Sequence, residues 1–281
     1  MRISIAAEAG RPDRVSEDWA GAGGGVCVVL DGLTEGPESG CVHGTPWYVH
    51  QLGGRLLTLA GGADRTLADA LGAAIGEVAS AHAGTCALDH PGSPGSTVTA
   101  VRWRGEEVEY LALGDSLVVL DVPDGPVVVT DTSAERVPTG VPPVTRTGDD
   151  DALAAQILAR QRQRNRPGGY WIAQATPAAA GYAVTGTATG VRGALLLTDG
   201  AARAVTDFAA LDWSQCLEVA YRRGPADLIA LTRELERQDP DGQVWPRYKR
   251  HDDATALLAV PGGPGGRGGP GGVRGGRASG R

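Results

Sequence analysis

Acidic residues recur at the edges of apolar runs in this 281-residue chain. The run from Val26 to Leu30 stops on Asp31-Gly32, "EYLALGDS" ends at Gly114-Asp115, "ALLLTDG" ends at Asp199-Gly200, and "HDDATALLAV" begins its apolar run directly after Asp252-Asp253. The stretch "RVSEDWAG" adds the pair Glu17-Asp18. Carboxylates gathered in a partly dry cleft oppose one another's ionisation unless a cation holds them together. An all-oxygen set suits hard divalent ions, magnesium or manganese, rather than zinc or copper. Glycine after Asp31 and after Asp199 is expected to let the backbone turn sharply and approach such an ion closely. One Asp-Gly after a strand is ordinarily a turn. Four acidic strand ends in one chain point instead to a shared site.

Thiol chemistry is not indicated by the same reasoning. Cys27, Cys41, Cys86 and Cys216 are scattered without C-x-x-C spacing, which argues against a disulfide framework or a structural zinc site and suits a reducing compartment. The pair Cys41-x-His43 supplies neither a third orienting group for a nucleophile nor four metal ligands, so it reads as structural.

The elements that must carry these acids follow from periodicity. Strands are expected near residues 26–30, 96–103, 107–113, 116–121, 126–130, 194–198 and 254–260. Helical patterns fall at 65–82, 150–163, 207–222 and 225–237, and residues 47–59 read as either type because Gly53-Gly54 weakens both. Leu67, Leu71, Ile75 and Val78 make one apolar stripe suited to packing on a sheet. Two antiparallel sheets flanked by helices fit this order better than a strict strand–helix alternation. In an antiparallel sheet the end of one strand lies beside the start of its neighbour, so the acidic sites are expected to share one rim. Irregular stretches at 131–149 and 164–192 are of the length used for lids or binding loops, and also for variable surface insertions.

Taken in order, "SEDWAG", "VVLDG", "GSTVTAVRW" with "LALGDS", "LLLTDG" and "DDATALLAV" resemble the protein phosphatase 2C family of metal-dependent serine/threonine phosphatases over residues 14–260. The resemblance implies an α+β fold, a four-layer αββα sandwich of two antiparallel sheets flanked by helices, with two Mn2+ or Mg2+ ions and a third, weaker position. Carried over residue by residue, it makes Asp31 the bridge between two ions and lets Asp199 and Asp252 complete one site. Glu17 and the Gly32 carbonyl serve the other, Asp18 is a water-mediated neighbour, and Asp115 matches the third position. Arg14 is the implied phosphate-binding arginine, one residue closer to Asp18 than the family pattern. The implied reaction is hydrolysis of phosphoserine or phosphothreonine on a protein substrate by a water activated between two cations, without a phosphoenzyme.

The chain also departs from that pattern. Where many relatives have histidine or methionine and then two glycines, Asp31-Gly32 is followed by Leu33-Thr34-Glu35-Gly36. Leu33 cannot donate a proton, which leaves water or His43 to protonate a departing alkoxide, although a histidine in that setting more often makes a structural hydrogen bond. Leu117 stands where relatives often have arginine. These departures motivate a second reading, a catalytically impaired, phosphatase-like binding module.

Charge and composition bound the rest. The net charge is −7, and the final 21 residues carry four arginines and no acid, which leaves the preceding 260 at −11. Such a body is not expected to bind nucleic acid or a membrane, and no stretch approaches the ~18 apolar residues of a span. A cytoplasmic protein is expected, with one domain over residues 1–260. The tail 261–281, rich in Gly, Pro and Arg, is expected to be disordered, with no partner identifiable from its sequence.

Overall fold

The computed structural model describes residues 1–35, 38–62, 64–145 and 147–262, so the expectation of a disordered tail falls almost wholly outside the described residues. Among these residues ten strands form two antiparallel five-stranded sheets. The first sheet runs β1 (Arg2–Glu8), β10 (Ala254–Val260), β9 (Gly193–Leu197), β6 (Leu117–Val122) and β7 (Gly125–Val129). The second runs β2 (Trp19–Gly23), β3 (Val26–Gly32), β4 (Ser96–Arg104), β5 (Glu107–Leu113) and β8 (Val184–Thr189).

Alternation along β3 shows why its apolar run is unbroken. Val26, Val28 and Leu30 pack under α1 (Gly44–Ala60) and α2 (Leu67–His82), whereas Cys27 and Val29 face the other sheet. With period-two side chains and both faces covered, no position on the strand is left for a polar residue until the rim. Leu196, Leu257, Val118 and Leu120 meet Cys27 and Val29 from the first sheet. The outer face of that sheet is covered by α4 (Asp199–Thr206), α5 (Trp213–Arg222) and α6 (Pro225–Gln238). The result is the expected four-layer αββα sandwich, with one apolar core between the sheets and one under each helical layer. Leu67, Leu71, Ile75 and Val78 are fully buried on the second sheet, as their spacing predicts.

Several elements differ from the expectation, each for a physical reason. Residues 47–59 lie inside the 17-residue helix α1, and Gly53 is tolerated there because Trp19 lies against it. A Cβ on Gly53 would come within 2.3 Å of the Trp19 ring, so the small residue makes a slot for a large one. The helix expected over 207–222 is shorter, starting only at Trp213 behind an Asp212 capping box, with 207–212 forming the connection from α4, which ends at Thr206. β1, β2 and β8 are edge strands of mixed exposure, too weakly apolar to register as strands in the sequence. No helix among the described residues is long and apolar enough to cross a membrane.

Candidate active site

Register places the acidic strand ends together. In the second sheet Asp31 pairs with Thr97 at the start of β4, while Val98 pairs with Leu113 at the end of β5, just before Gly114-Asp115. In the first sheet Leu197, at the end of β9, pairs with Leu117, and β10 begins two residues after Asp252. Ala256 pairs with Leu197, so Asp199 and Asp252 leave the same edge. Asp31 continues the face of Cys27 and Val29, which directs its carboxylate toward the open end of the layer between the sheets. Asp31, Gly32, Asp115, Asp199 and Asp252 line one cleft of about 270 Å³.

Close chain approach holds the cluster together. A Cβ on Gly32 would lie 2.2 Å from the Glu17 carbonyl oxygen, and one on Gly200 would lie 2.0 Å from that of Asp253. The glycines of the two Asp-Gly pairs therefore admit a neighbouring acidic segment. Neither takes the left-handed conformation of a sharp glycine turn. Asp253 fastens the N-terminal segment by accepting from the backbone N–H of Glu17 at 2.6 Å and of Gly10 at 2.7 Å.

The carboxylates are out of balance with one another. Burial, Asp199 and Asp18 raise Asp31 well above the usual carboxylate range, and burial with Asp252 raises Asp199. Asp18 is buried and raised in the same way; Thr198 Oγ1 donates to its Oδ2 at 3.1 Å, but its Oδ1 has no partner. Burial pushes Glu17 up to about 7, and burial with Asp199 does the same for Asp115. Asp252 is the exception. Burial alone would raise it, but Lys249 and Arg203 outweigh burial and hold it below the usual range. Lys249 Nζ lies 2.6 Å from Asp252 Oδ1 and Arg203 donates to Oδ2 at 3.0 Å.

The remaining expectations separate at this point. Glu17 and Asp18 belong to the electrostatic cluster through their coupling to Asp252 and Asp253. Arg14 is exposed on the loop after β1 and does not line the cleft, so the structure offers no support for it as the phosphate ligand. His43 is also outside the cleft, its Nδ1 facing Cys86 Sγ at 3.3 Å and its ring stacked on Trp47. The cleft takes its cations instead from Lys249, Arg160 and Arg164. Arg160 comes from α3 (Asp150–Gln161), where Leu153, Gln156, Ile157 and Arg160 recur at helical spacing and turn one face to the cleft. The Arg164 Nε is buried with no hydrogen-bond partner. These three were passed over in the sequence, although Lys249 carried a signal as the chain's single lysine.

No family model matches the sequence, and no curated protein matches it. Among solved structures the fold is shared with bacterial serine/threonine phosphatases of the protein phosphatase 2C type. The serine/threonine phosphatase PstP/Ppp of Mycobacterium tuberculosis superposes with a TM-score of 0.58 at 17% identity, over 92% of this chain and 97% of that one. The catalytic domain of PstP in complex with two manganese ions gives 0.56 at 18% identity, over 92% and 97%. The serine/threonine phosphatase Stp1 of Staphylococcus aureus gives 0.55 at 12% identity, over 93% and 95%. The resemblance read from the acidic motifs thus extends to the fold of nearly the whole chain.

Proposed function

We propose that this protein is a metal-dependent phosphatase acting on phosphoserine or phosphothreonine in proteins. One observation carries the reading: acids from the ends of both sheets converge on a cleft that also holds Arg160, Arg164 and Lys249. Opposed charges of this kind fit a phosphate ester bridged between cations and a carboxylate-held metal centre.

The donor set fits divalent ions. Asp31, Asp199 and Asp18 have raised affinities for protons because each is buried and faces other carboxylates, and the Asp18 Oδ1 lacks any partner. The Lys249 ammonium already sits among these acids, so the pocket tolerates a cation in contact with Asp252. Asp31, Asp199 and Asp252 would hold one Mn2+ or Mg2+ ion. Glu17, Gly32 and Asp31 would hold a second, with Asp18 behind them and Asp115 at a third, weaker position. Bound there, the ions supply an activated water and offset the charge that develops on phosphorus.

The chain's own groups do the rest. Arg164, with a free buried Nε, and Arg160, anchored by donating to the Ala134 carbonyl at 3.2 Å, bind the non-reacting phosphate oxygens. Leu153 and Ile157 on α3 give the substrate chain an apolar seat. Leu33 has no proton to give and His43 faces away from the cleft, which leaves solvent or the Lys249 ammonium to protonate the departing alkoxide.

Purified protein with Mn2+ is expected to release phosphate from p-nitrophenyl phosphate and from a phosphothreonine peptide, and Asp31→Asn and Asp199→Asn are expected to abolish release. Equal turnover in the wild type and both variants refutes the reading. A second reading, a phosphatase-like module that binds without turnover, draws on the Lys249 and Arg203 contacts that occupy both oxygens of Asp252. Calorimetric Mn2+ binding with no turnover of any phosphopeptide would select it.

A further inference from the structure

Away from the cleft, the packing of α1 on α2 brings together four side chains that the sequence kept apart. Cys41 and His43 precede α1, with His43 at its N-cap, while His82 ends α2 and Cys86 follows it. Their two sulfurs and two ring nitrogens all lie within 4.8 Å of one another. Cys41 Sγ is 3.7 Å from His43 Nδ1 and 3.6 Å from His82 Nδ1, and His43 Nδ1 is 3.3 Å from Cys86 Sγ. The two sulfurs are 2.9 Å apart and both cysteines are free.

We infer that Cys41, His43, His82 and Cys86 form a tetrahedral zinc site that joins the start of α1 to the end of α2. Two thiolates and two imidazoles are a zinc donor set, and four protein ligands leave no open position, which is the mark of a structural site. With Zn–S near 2.3 Å and Zn–N near 2.0–2.1 Å, the edges of such a tetrahedron measure roughly 3.3–3.8 Å. Three of the four distances above are in that range, the sulfurs must separate by about 0.9 Å, a shift within reach of small χ1 rotations, and the two remaining edges, from His82 to His43 and to Cys86, are within 4.8 Å.

The orientation of His82 is an independent observation. The residue is 3% exposed, its Nδ1 lies 3.6 Å from Cys41 Sγ, and its Nε2 has no partner. A buried imidazole set this way has its only polar contact on the cluster side, where a ring nitrogen must lie for a metal to take it. The cluster also has a structural task. At the acidic rim, Leu33 N–H donates to the Gly95 carbonyl and Thr45 Oγ1, at the start of α1, donates to the Leu33 carbonyl. Just ahead of Cys41, Ala87 N–H donates to the Gly40 carbonyl, and the zinc site extends that tie between the start of α1 and the end of α2. The linear spacing that argued against zinc, Cys-x-His followed far downstream by His-x-x-x-Cys, is a closed site once the two helices pack.

The zinc site stands whether or not the cleft hydrolyses phosphate, and cobalt substitution separates the two. Reduced, metal-free wild type titrated with Co2+ is expected to develop a thiolate-to-cobalt charge-transfer band of one equivalent, displaced by Zn2+, while cobalt held by the cleft carboxylates gives no such band. The band is expected to persist in Asp31→Asn and to vanish in Cys41→Ser and Cys86→Ser. At zinc a thousandfold above Kd the thermal midpoint is expected to rise by roughly 8–16 °C. No charge-transfer band in the reduced wild type, or a band unchanged in Cys86→Ser, overturns the inference. So does a Cys41–Cys86 disulfide whose reduction yields no cobalt or zinc binding.

Discussion

Arg203 donates to Asp252 Oδ2 at 3.0 Å from within a buried network, its other Nη holding Glu236 at 2.9 Å. Glu236 is fully buried and is shared with Arg233 at 2.8 Å and His251 at 2.6 Å. Asp252 is thus fixed from behind by α4 and α6 while its front faces the cleft. Removing one member of a buried ion network leaves the partners' charges uncompensated, at a cost of about 3–5 kcal/mol. Arg203→Ala is expected to lower unfolding stability by that amount in a denaturant titration and to weaken Mn2+ binding. A loss below about 1 kcal/mol would show that the network does not hold Asp252 in place.

Glu17 and Asp115, both pushed up to about 7, set a pH dependence for the metal-free protein. Their folded values lie above the unfolded values of about 4, so the folded state binds more protons between those limits. The stability they confer is complete below about pH 4 and is lost as pH rises through about 7. The thermal midpoint of protein stripped with a chelator is expected to fall from pH 5.5 to pH 8. Mn2+ should restore it more strongly at pH 8, because bound ions take the place of the protons. A midpoint that rises over this interval without metal contradicts the electrostatics described here.

Arg164 and Arg160 offer donors to an anion from α3 and the turn after it. A charge-assisted hydrogen bond of about 1.5–3 kcal/mol corresponds to a factor of roughly 10–150. Arg164→Ala is expected to raise KM for a phosphopeptide, or Kd for inorganic phosphate, within that range while Mn2+ affinity holds. Arg14→Ala, in an exposed loop, should leave both unchanged. Reversed results would restore Arg14 as the phosphate ligand.

Gly32 sits where backbone meets backbone. A methyl group there would lie 2.2 Å from the Glu17 carbonyl oxygen and 2.5 Å from Thr45 Cγ2. Overpacking of this kind costs about 1–3 kcal/mol and displaces what it strikes. Gly32→Ala is therefore expected to lower stability by that amount and to cut Mn2+ affinity through Glu17. Gly54→Ala, which meets nothing within 4 Å on the solvent side of α1, should be neutral or stabilising, and serves as the control in the same melting experiment.

The places where apolar runs stop were legible in the sequence, because a strand covered on both faces excludes charge until it reaches the rim. Asp31, Asp115, Asp199 and Asp252 could therefore be set at strand ends from local pattern alone. The two sheets followed from the same runs. What the pattern did not carry was adjacency. Trp19 against Gly53, which makes α1 a continuous helix, links residues far apart in the chain, and so does Asp253 clasping Gly10 and Glu17. Lys249 among the acids and the Cys41, His43, His82 and Cys86 cluster depend in the same way on how finished elements pack. Local periodicity reports whether a side chain faces a core, since burial of one face is a property of each element by itself. Which charged and ligating groups meet at its edges is decided when separate elements dock, and that docking is set by shape and close packing that no short window of sequence contains.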